Sequence, residues 1–192
     1  MALAAPKKHL PASRLLHIVL EALGPIWPER LRIGSVDLGD SWRYPPWREA
    51  GDALADVVPF HKLSQWLTYS LIEPTCAAGI NVTDFDGLTG LPEYRNGGLF
   101  VDCGVLAPHD TSDLDHEHSV GDPLIVEWRA LTVALLDRLA PLVRDELGVT
   151  AEGFPLAGML QGGTWSAGCR IAREKRADGS PPVRIASDGA IF

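Results

Sequence analysis

The sequence of 192 residues is poor in several things that whole classes of protein depend on. Its three cysteines, at 76, 103 and 169, make no disulfide framework and match no zinc-ligand spacing, which excludes a stapled secreted scaffold and a zinc module. A reduced compartment, the cytoplasm, is the expectation that follows. Basic residues are outnumbered, 17 against 25 acidic, for a formal charge of −8. A nucleic-acid or anionic-membrane surface built on bulk charge is thereby excluded, although a local basic pocket is not. Long hydrophobic runs are missing too: no stretch reaches the ~18 apolar residues of a membrane helix, and the best candidates are cut by Glu21, Asp137 or Arg138. The first residues set lysines behind an apolar start, with His17 and Glu21 inside the run that follows, unlike a signal peptide. There is no phosphate-loop lysine, no dinucleotide fingerprint, and no histidine motif around Ser64, Ser166 or the cysteines, so nucleophilic hydrolase chemistry has no support. What is present is ordinary for a folded chain, with 46% hydrophobic and 22% charged residues and a mean hydropathy of +0.04. Such a length buries roughly 70% of the unfolded surface in one core.

The periodicity predicts mostly helix. Apolar residues at 15, 16, 19, 20 and 23 make a stripe over Ala12 to Leu23, stopped by Gly24-Pro25. Residues 27–46 read as a connector, irregular or with a minor hairpin of the alternating patches Leu31-Arg32-Ile33 and Val36-Asp37-Leu38. A second helix, 60–72, turns Phe60, Leu63, Leu67 and Leu71 inward until Glu73-Pro74 breaks it, and Lys62, Gln65 and Tyr69 leave from one face. Between Asn81 and Asp122 long loops are expected. Asp122-Pro123 opens the strongest helix, 124–139, whose apolar positions point nearly all round and predict burial on most sides. A break is expected at Pro141, with continuation to Gly148. A last helix runs over 155–176 through Gly162-Gly163, and a hairpin of 183–185 with 190–192 closes the chain.

Four groups of residues could carry chemistry, each with a plainer alternative. Glu127 and Arg129 interrupt the most apolar helix; two positions apart they project about 200° from each other and must serve different surfaces. The alternative is a solvated first turn. Glu93, Tyr94 and Arg95 stand together in a glycine-framed segment, suited to presenting charge to a ligand or simply to a surface turn. Lys62, Gln65 and Tyr69 form either a site face or a solvated stripe. His109, His116 and His118 lie in an acidic run better read as a solvated loop than as metal ligands, and Gly162-Gly163 suggests close helix packing, with Trp165 as core or pocket wall.

Four stretches carry a specific resemblance: PFHKLSQWLTYSLIEP at 59–74, GLTGLPEYRNGGLFVDCGVL at 87–106, VEWRALTVALLDRLAPLV at 126–143, and GGTWSAGCRIAREKRADGSPPVRIASDGAIF at 162–192. Together they resemble the uracil catabolism protein four family. Members of that family are about twice this length, and residues 1–192 look like a single helical domain forming the C-terminal half. The resemblance implies a role in breaking down uracil through a ribosylated intermediate. More distantly, Lys62 and Gln65, Leu88-Thr89, Glu93-Tyr94-Arg95, Gly104-Val105-Leu106 and Glu127 to Val133 are similar, in the same order, to the queuosine salvage N-ribosyl hydrolases. Glu93 stands where those proteins carry aspartate, lengthening the arm by one methylene.

That second resemblance implies a mainly α, helical DNA-glycosylase-like domain, to which the sequence pattern adds the short C-terminal hairpin. It also implies hydrolysis of the N-glycosidic bond of a ribosyl or ribosyl-phosphate substrate, with Glu93 as the catalytic carboxylate; the uracil pathway of the first resemblance points to a ribosylated urea as that substrate. Lys62, Gln65, Tyr94, Arg95, Glu127, Arg129 and Trp165 are then the substrate-binding candidates, and no metal or cofactor is expected. The only partner expected is the small-molecule substrate, with no nucleic acid and no membrane. The alternative is a non-catalytic ligand-binding module or subunit of the pyrimidine-degradation pathway, with saturable binding and no turnover.

Overall fold

A computed structural model describes residues 8–28 and 30–186. Helix α1 (Ala12–Leu23) forms where the stripe predicts it, burying Ala12, Leu15 and Val19, and passes at Gly24-Pro25 into a single 3-10 turn. Helix α2 (Lys62–Ala77) outruns its expected end, with Pro74 inside it. Proline at this point costs one amide donor near the end of the helix, and the carbonyl of Pro74 still accepts from Ala78 N at 3.0 Å. Helix α3 (Tyr94–Asp102) stands where loops were expected. Its glycines permit close contact: a Cβ on Gly97 would lie 2.7 Å from Thr132 Oγ1 and 2.9 Å from Trp128 Nε1.

Helix α4 (Pro123–Leu147) is continuous through Pro141, so the expected break does not occur. Its buried positions, Ile125, Val126, Trp128, Arg129, Thr132, Leu136 and Ala140, line one side at helical spacing, and Val143 beyond the proline packs on the same cluster as Leu136 and Ala140. The expectation of burial on most sides fails, since Leu131 and Leu142 are exposed. Gly148, left-handed at φ 64°, ends the helix. The predicted 155–176 helix is α5 (Leu156–Met159), a π-turn over Leu160–Trp165, and α6 (Ser166–Lys175) in one run.

The strands are short and paired in twos. Strand β1 (Lys8–Pro11) lies parallel to β6 (Ile80–Thr83), with Leu10 opposite Val82. Antiparallel pairs join β2 (Arg32–Ile33) to β3 (Val36–Asp37), a hairpin inside the segment read as a connector, and β4 (Ser41–Arg43), in the same segment, to β5 (Val57–Pro59) beyond it. Strand β7 (Glu117–Ser119) pairs in parallel with β8 (Arg184–Ala186). The expected terminal hairpin would need 187–192, which lie outside the described residues; within them the partner of β8 is β7. The fold is mainly α, with no sheet of more than two strands among the described residues.

The core centres on α4. One cluster joins Leu136 and Ala140 to Phe100 of α3 and to Leu156, Met159 and Leu160; a second joins Ile125 and Trp128 to Val183; a third, Ala12, Val82 and Leu88, seats α1 on β6. Helix α6 crosses α3 so closely that a Cβ on Gly168 would fall 2.1 Å from the carbonyl oxygen of Arg95. Wedged between α4 and α6, α3 has its first turn fixed. No helix of the described residues is long and apolar enough to cross a membrane.

Candidate functional site

Glu93 occupies the cap of α3. Its backbone is extended, φ −111° and ψ 139°, and its Oε2 accepts from the backbone amides of Arg95 at 2.8 Å and Asn96 at 3.2 Å. A carboxylate in this position satisfies two orphan donors and meets the positive end of the helix. Burial nevertheless pushes its pKa up, against those two amides and the nearby charges of Lys62 and Arg95. Lys62 is buried in the first turn of α2 and Arg95 half-buried in the first turn of α3. Two helix starts thus bring one reluctant carboxylate and two cations together. Desolvation that keeps a carboxyl group above its ordinary range suits proton transfer near neutrality.

A second carboxylate lies beyond Lys62. Asp40 receives Arg129 in a bidentate fork, Nη1 to Oδ1 at 2.9 Å and Nη2 to Oδ2 at 2.8 Å. Trp42 Nε1 donates to Oδ1 at 2.8 Å and the Lys62 amide to Oδ2 at 3.0 Å. Burial alone would raise Asp40, but the Arg129 pair, Trp42 and Lys62 outweigh it and hold the carboxyl below the ordinary range. Arg129 is fully buried, its guanidinium 4.0 Å from the centre of the Phe60 ring. Asp40 was not legible in the sequence, because it sits in a glycine-containing connector with no periodicity. The only signal was the obligation created by Arg129, an arginine in an apolar helix that must find an acid.

The other candidates take varied positions. Gln65 clamps the segment leading to α3: its Nε2 donates to Thr89 Oγ1 at 2.7 Å and its Oε1 accepts from Thr89 N at 2.9 Å. Tyr69 Oη donates to the Thr89 carbonyl at 2.9 Å, so the polar face of α2 holds residues 88–90 in place. Tyr94 packs beside Ile125 and Trp128, with Arg95 4.7 Å over its ring, and Arg95 also donates to the Gly179 carbonyl. Glu127 is exposed and accepts from Tyr44 Oη at 2.9 Å, on a different surface from Arg129, as their angular separation requires. Trp165, at the end of the π-turn, is 46% exposed, so the reading of it as core is corrected. Its neighbour Thr164 is the buried residue there and donates to Asn96 Oδ1 at 2.9 Å, tying the turn to α3. Lys62, Glu93 and Arg95 therefore come together with the Asp40–Arg129 pair adjoining them through Lys62, while Glu127 faces elsewhere. No cluster of three metal-ligating side chains occurs among the described residues.

The architecture and this constellation define a mainly helical protein carrying a half-buried, cation-flanked carboxylate at a helix start. The chain belongs to the family described as "Protein of unknown function (DUF1688)", whose model matches residues 2–192. It is 44% identical over 171 residues to "Protein urg3" of Schizosaccharomyces pombe, covering 88% of this chain and 41% of that protein. It is 41% identical over 196 residues to "Uracil catabolism protein 4" of Lachancea kluyveri, covering 91% of this chain and 44% of that one. The chain thus spans less than half the length of these curated relatives. No solved structure matches it.

Proposed function

We propose that this chain acts in uracil catabolism as an N-ribosyl hydrolase, cleaving the glycosidic bond of a ribosylated urea or its phosphate. The pathway comes from the relative named Uracil catabolism protein 4. The chemistry rests on one observation, the placement of the half-buried Glu93 carboxylate at the start of α3, near enough to Lys62 and Arg95 to feel both charges. Cleavage of such a bond leaves positive charge on the sugar, and a carboxylate nearby stabilises it. Water then adds across the bond: a C–O bond forms at the anomeric carbon and the C–N bond breaks. Glu93 takes the proton of the attacking water, and the departing nitrogen gains one from solvent or from Glu93 in turn. Lys62 or Arg95 would hold a phosphate or polarise the leaving group, a planar guanidinium being suited to bidentate phosphate contacts.

The test is release of free ribose or urea from a ribosylated urea, by this chain and by a full-length relative. Turnover is expected from the wild type, with kcat/KM lowered at least ~100-fold by Glu93→Gln, a loss ordinary for a proton-transfer group. A Glu93→Gln protein within about threefold of wild type removes Glu93 from the chemistry. A second reading is favoured by the double amide capping of Glu93, which gives that residue a structural task of its own. In that reading the chain is a binding module, and saturable binding without product from either protein would establish it.

A further inference from the structure

The site around Glu93 is flanked by apolar surface that this chain leaves uncovered. Trp66 follows Lys62 by one turn of α2 and so stands on the same side of the helix, yet it is 59% exposed while Lys62 is buried. Trp165 follows Thr164, whose hydroxyl donates to Asn96, and the Asn96 amide donates in turn to Glu93. It too is exposed. Tryptophan carries a large apolar area and is enriched among the anchors of protein–protein interfaces.

The π-turn that ends at Trp165 adds a separate observation. The sequence suggests close helix packing at Gly162-Gly163, yet Gly162 is exposed and nothing lies within 4 Å of a Cβ added to it. A Cβ on Gly163 would meet only Met159, at an ordinary 3.7 Å. Neither glycine has a positive φ. Gly97 and Gly168, by contrast, are pressed against neighbouring helices. Glycine inside a helical run is destabilising relative to alanine, so a position that needs neither the space nor the backbone freedom within this chain is explained by a surface outside it.

The curated relatives point to what covers this surface. More than half of each lies outside the part that this chain matches, and a polypeptide of that length has apolar surface of its own to bury. A second copy of this chain is a poorer occupant, because each copy has a formal charge of −8 and two copies repel.

We propose that Trp66, Gly162 and Trp165 form the docking surface for the remainder of the family protein, the part that this chain does not span, which packs on them beside the Glu93 site. The test compares this chain with full-length Uracil catabolism protein 4. Cysteine replaces Trp66, Trp165 or Trp47, the last 55% exposed between β4 and β5, in this chain and at the aligned positions of the relative. Labelling by N-ethylmaleimide is followed at each position by mass spectrometry. All three positions should label rapidly in this chain. In the relative, those aligned with Trp66 and Trp165 should label at least about tenfold more slowly, as buried positions do, and the one aligned with Trp47 at an unchanged rate. Gly162→Leu gives a measurement that needs no cysteine: it should leave the urea midpoint of this chain unchanged, whereas leucine at the aligned position should lower that of the relative by overpacking. Rapid labelling at either tryptophan position in the relative, or slowing of all three alike, would overturn the assignment. So would labelling of this chain that slows with its own concentration, the mark of a second copy, a midpoint of this chain lowered by Gly162→Leu, or an unmoved midpoint in the relative. Neither readout involves turnover, so this proposal and the role given to Glu93 fail separately.

Discussion

Lys62 stands between two carboxylates that burial treats in opposite ways. Asp40 is held below its ordinary range by Arg129, so its stabilising contribution is present above the unfolded carboxyl pKa and is lost as pH falls through the lowered folded value. Glu93 is raised by burial, so the fold prefers it protonated; that preference is complete below the unfolded pKa and disappears as pH rises through the folded one. Glu93→Gln keeps an oxygen for the Arg95 and Asn96 amides while removing the charge. Urea midpoints measured from pH 4 to 8 should show this variant at least as stable as wild type at neutrality, with less decline on the way up from acid. A residue whose removal stabilises the fold and abolishes turnover is one retained for activity. Breaking the Asp40–Arg129 pair should do the reverse. Arg129→Met leaves a carboxylate buried without its main partner and should cost about 3–5 kcal/mol in urea unfolding. Adding Asp40→Asn to it should cost much less than the sum of the two single changes. At this scale the resemblance made Glu93 and Lys62 legible, whereas Asp40 was hidden in an aperiodic segment.

Among the elements, α3 is the one that the sequence pattern missed. Gly97 and Gly98 are poor helix formers, and nothing in a glycine-framed stretch of nine residues announces an apolar face. The helix exists because Glu93 caps it and because glycine lets α4 and α6 approach its backbone. Gly168→Ala should therefore be far more damaging than its gain in helix propensity suggests. Its methyl would meet the Arg95 carbonyl at 2.1 Å and force α6 away from the turn carrying Glu93. A loss of about 3 kcal/mol in thermal or urea unfolding is expected, at the upper end of overpacking costs. Gly24→Ala, where nothing lies within 4 Å of the added carbon, is the contrast and should stay within about 0.5 kcal/mol of wild type. The same reasoning explains Pro74 and Pro141. Proline read locally ends a helix, but one lost hydrogen bond is small beside the packing of Ala140 and Val143, in one cluster on either side of Pro141.

Across the whole molecule, contacts distant in sequence tie the parts together: β1 to β6, β7 to β8, and Asp40 to Arg129, 89 residues apart. Unfolding should accordingly follow one transition, with helical circular dichroism and tryptophan fluorescence giving the same midpoint. Two separated midpoints would mean that the region around β2–β5 opens before the helices. By itself the sequence determined the mainly α class, the bounds of α1, the start of α4 and the run from 156 to 175, because periodic apolar spacing and capping residues are local properties. It also determined that Glu127 and Arg129 face apart, which helix geometry alone requires. Only the tertiary structure decided that α3 is a helix, that Asp40 is the acid for Arg129, and that Gln65 and Tyr69 hold Thr89 in place. Each of these depends on groups 20 or more residues apart meeting in a desolvated space, and no local pattern encodes which distant partner will satisfy a buried charge or donor.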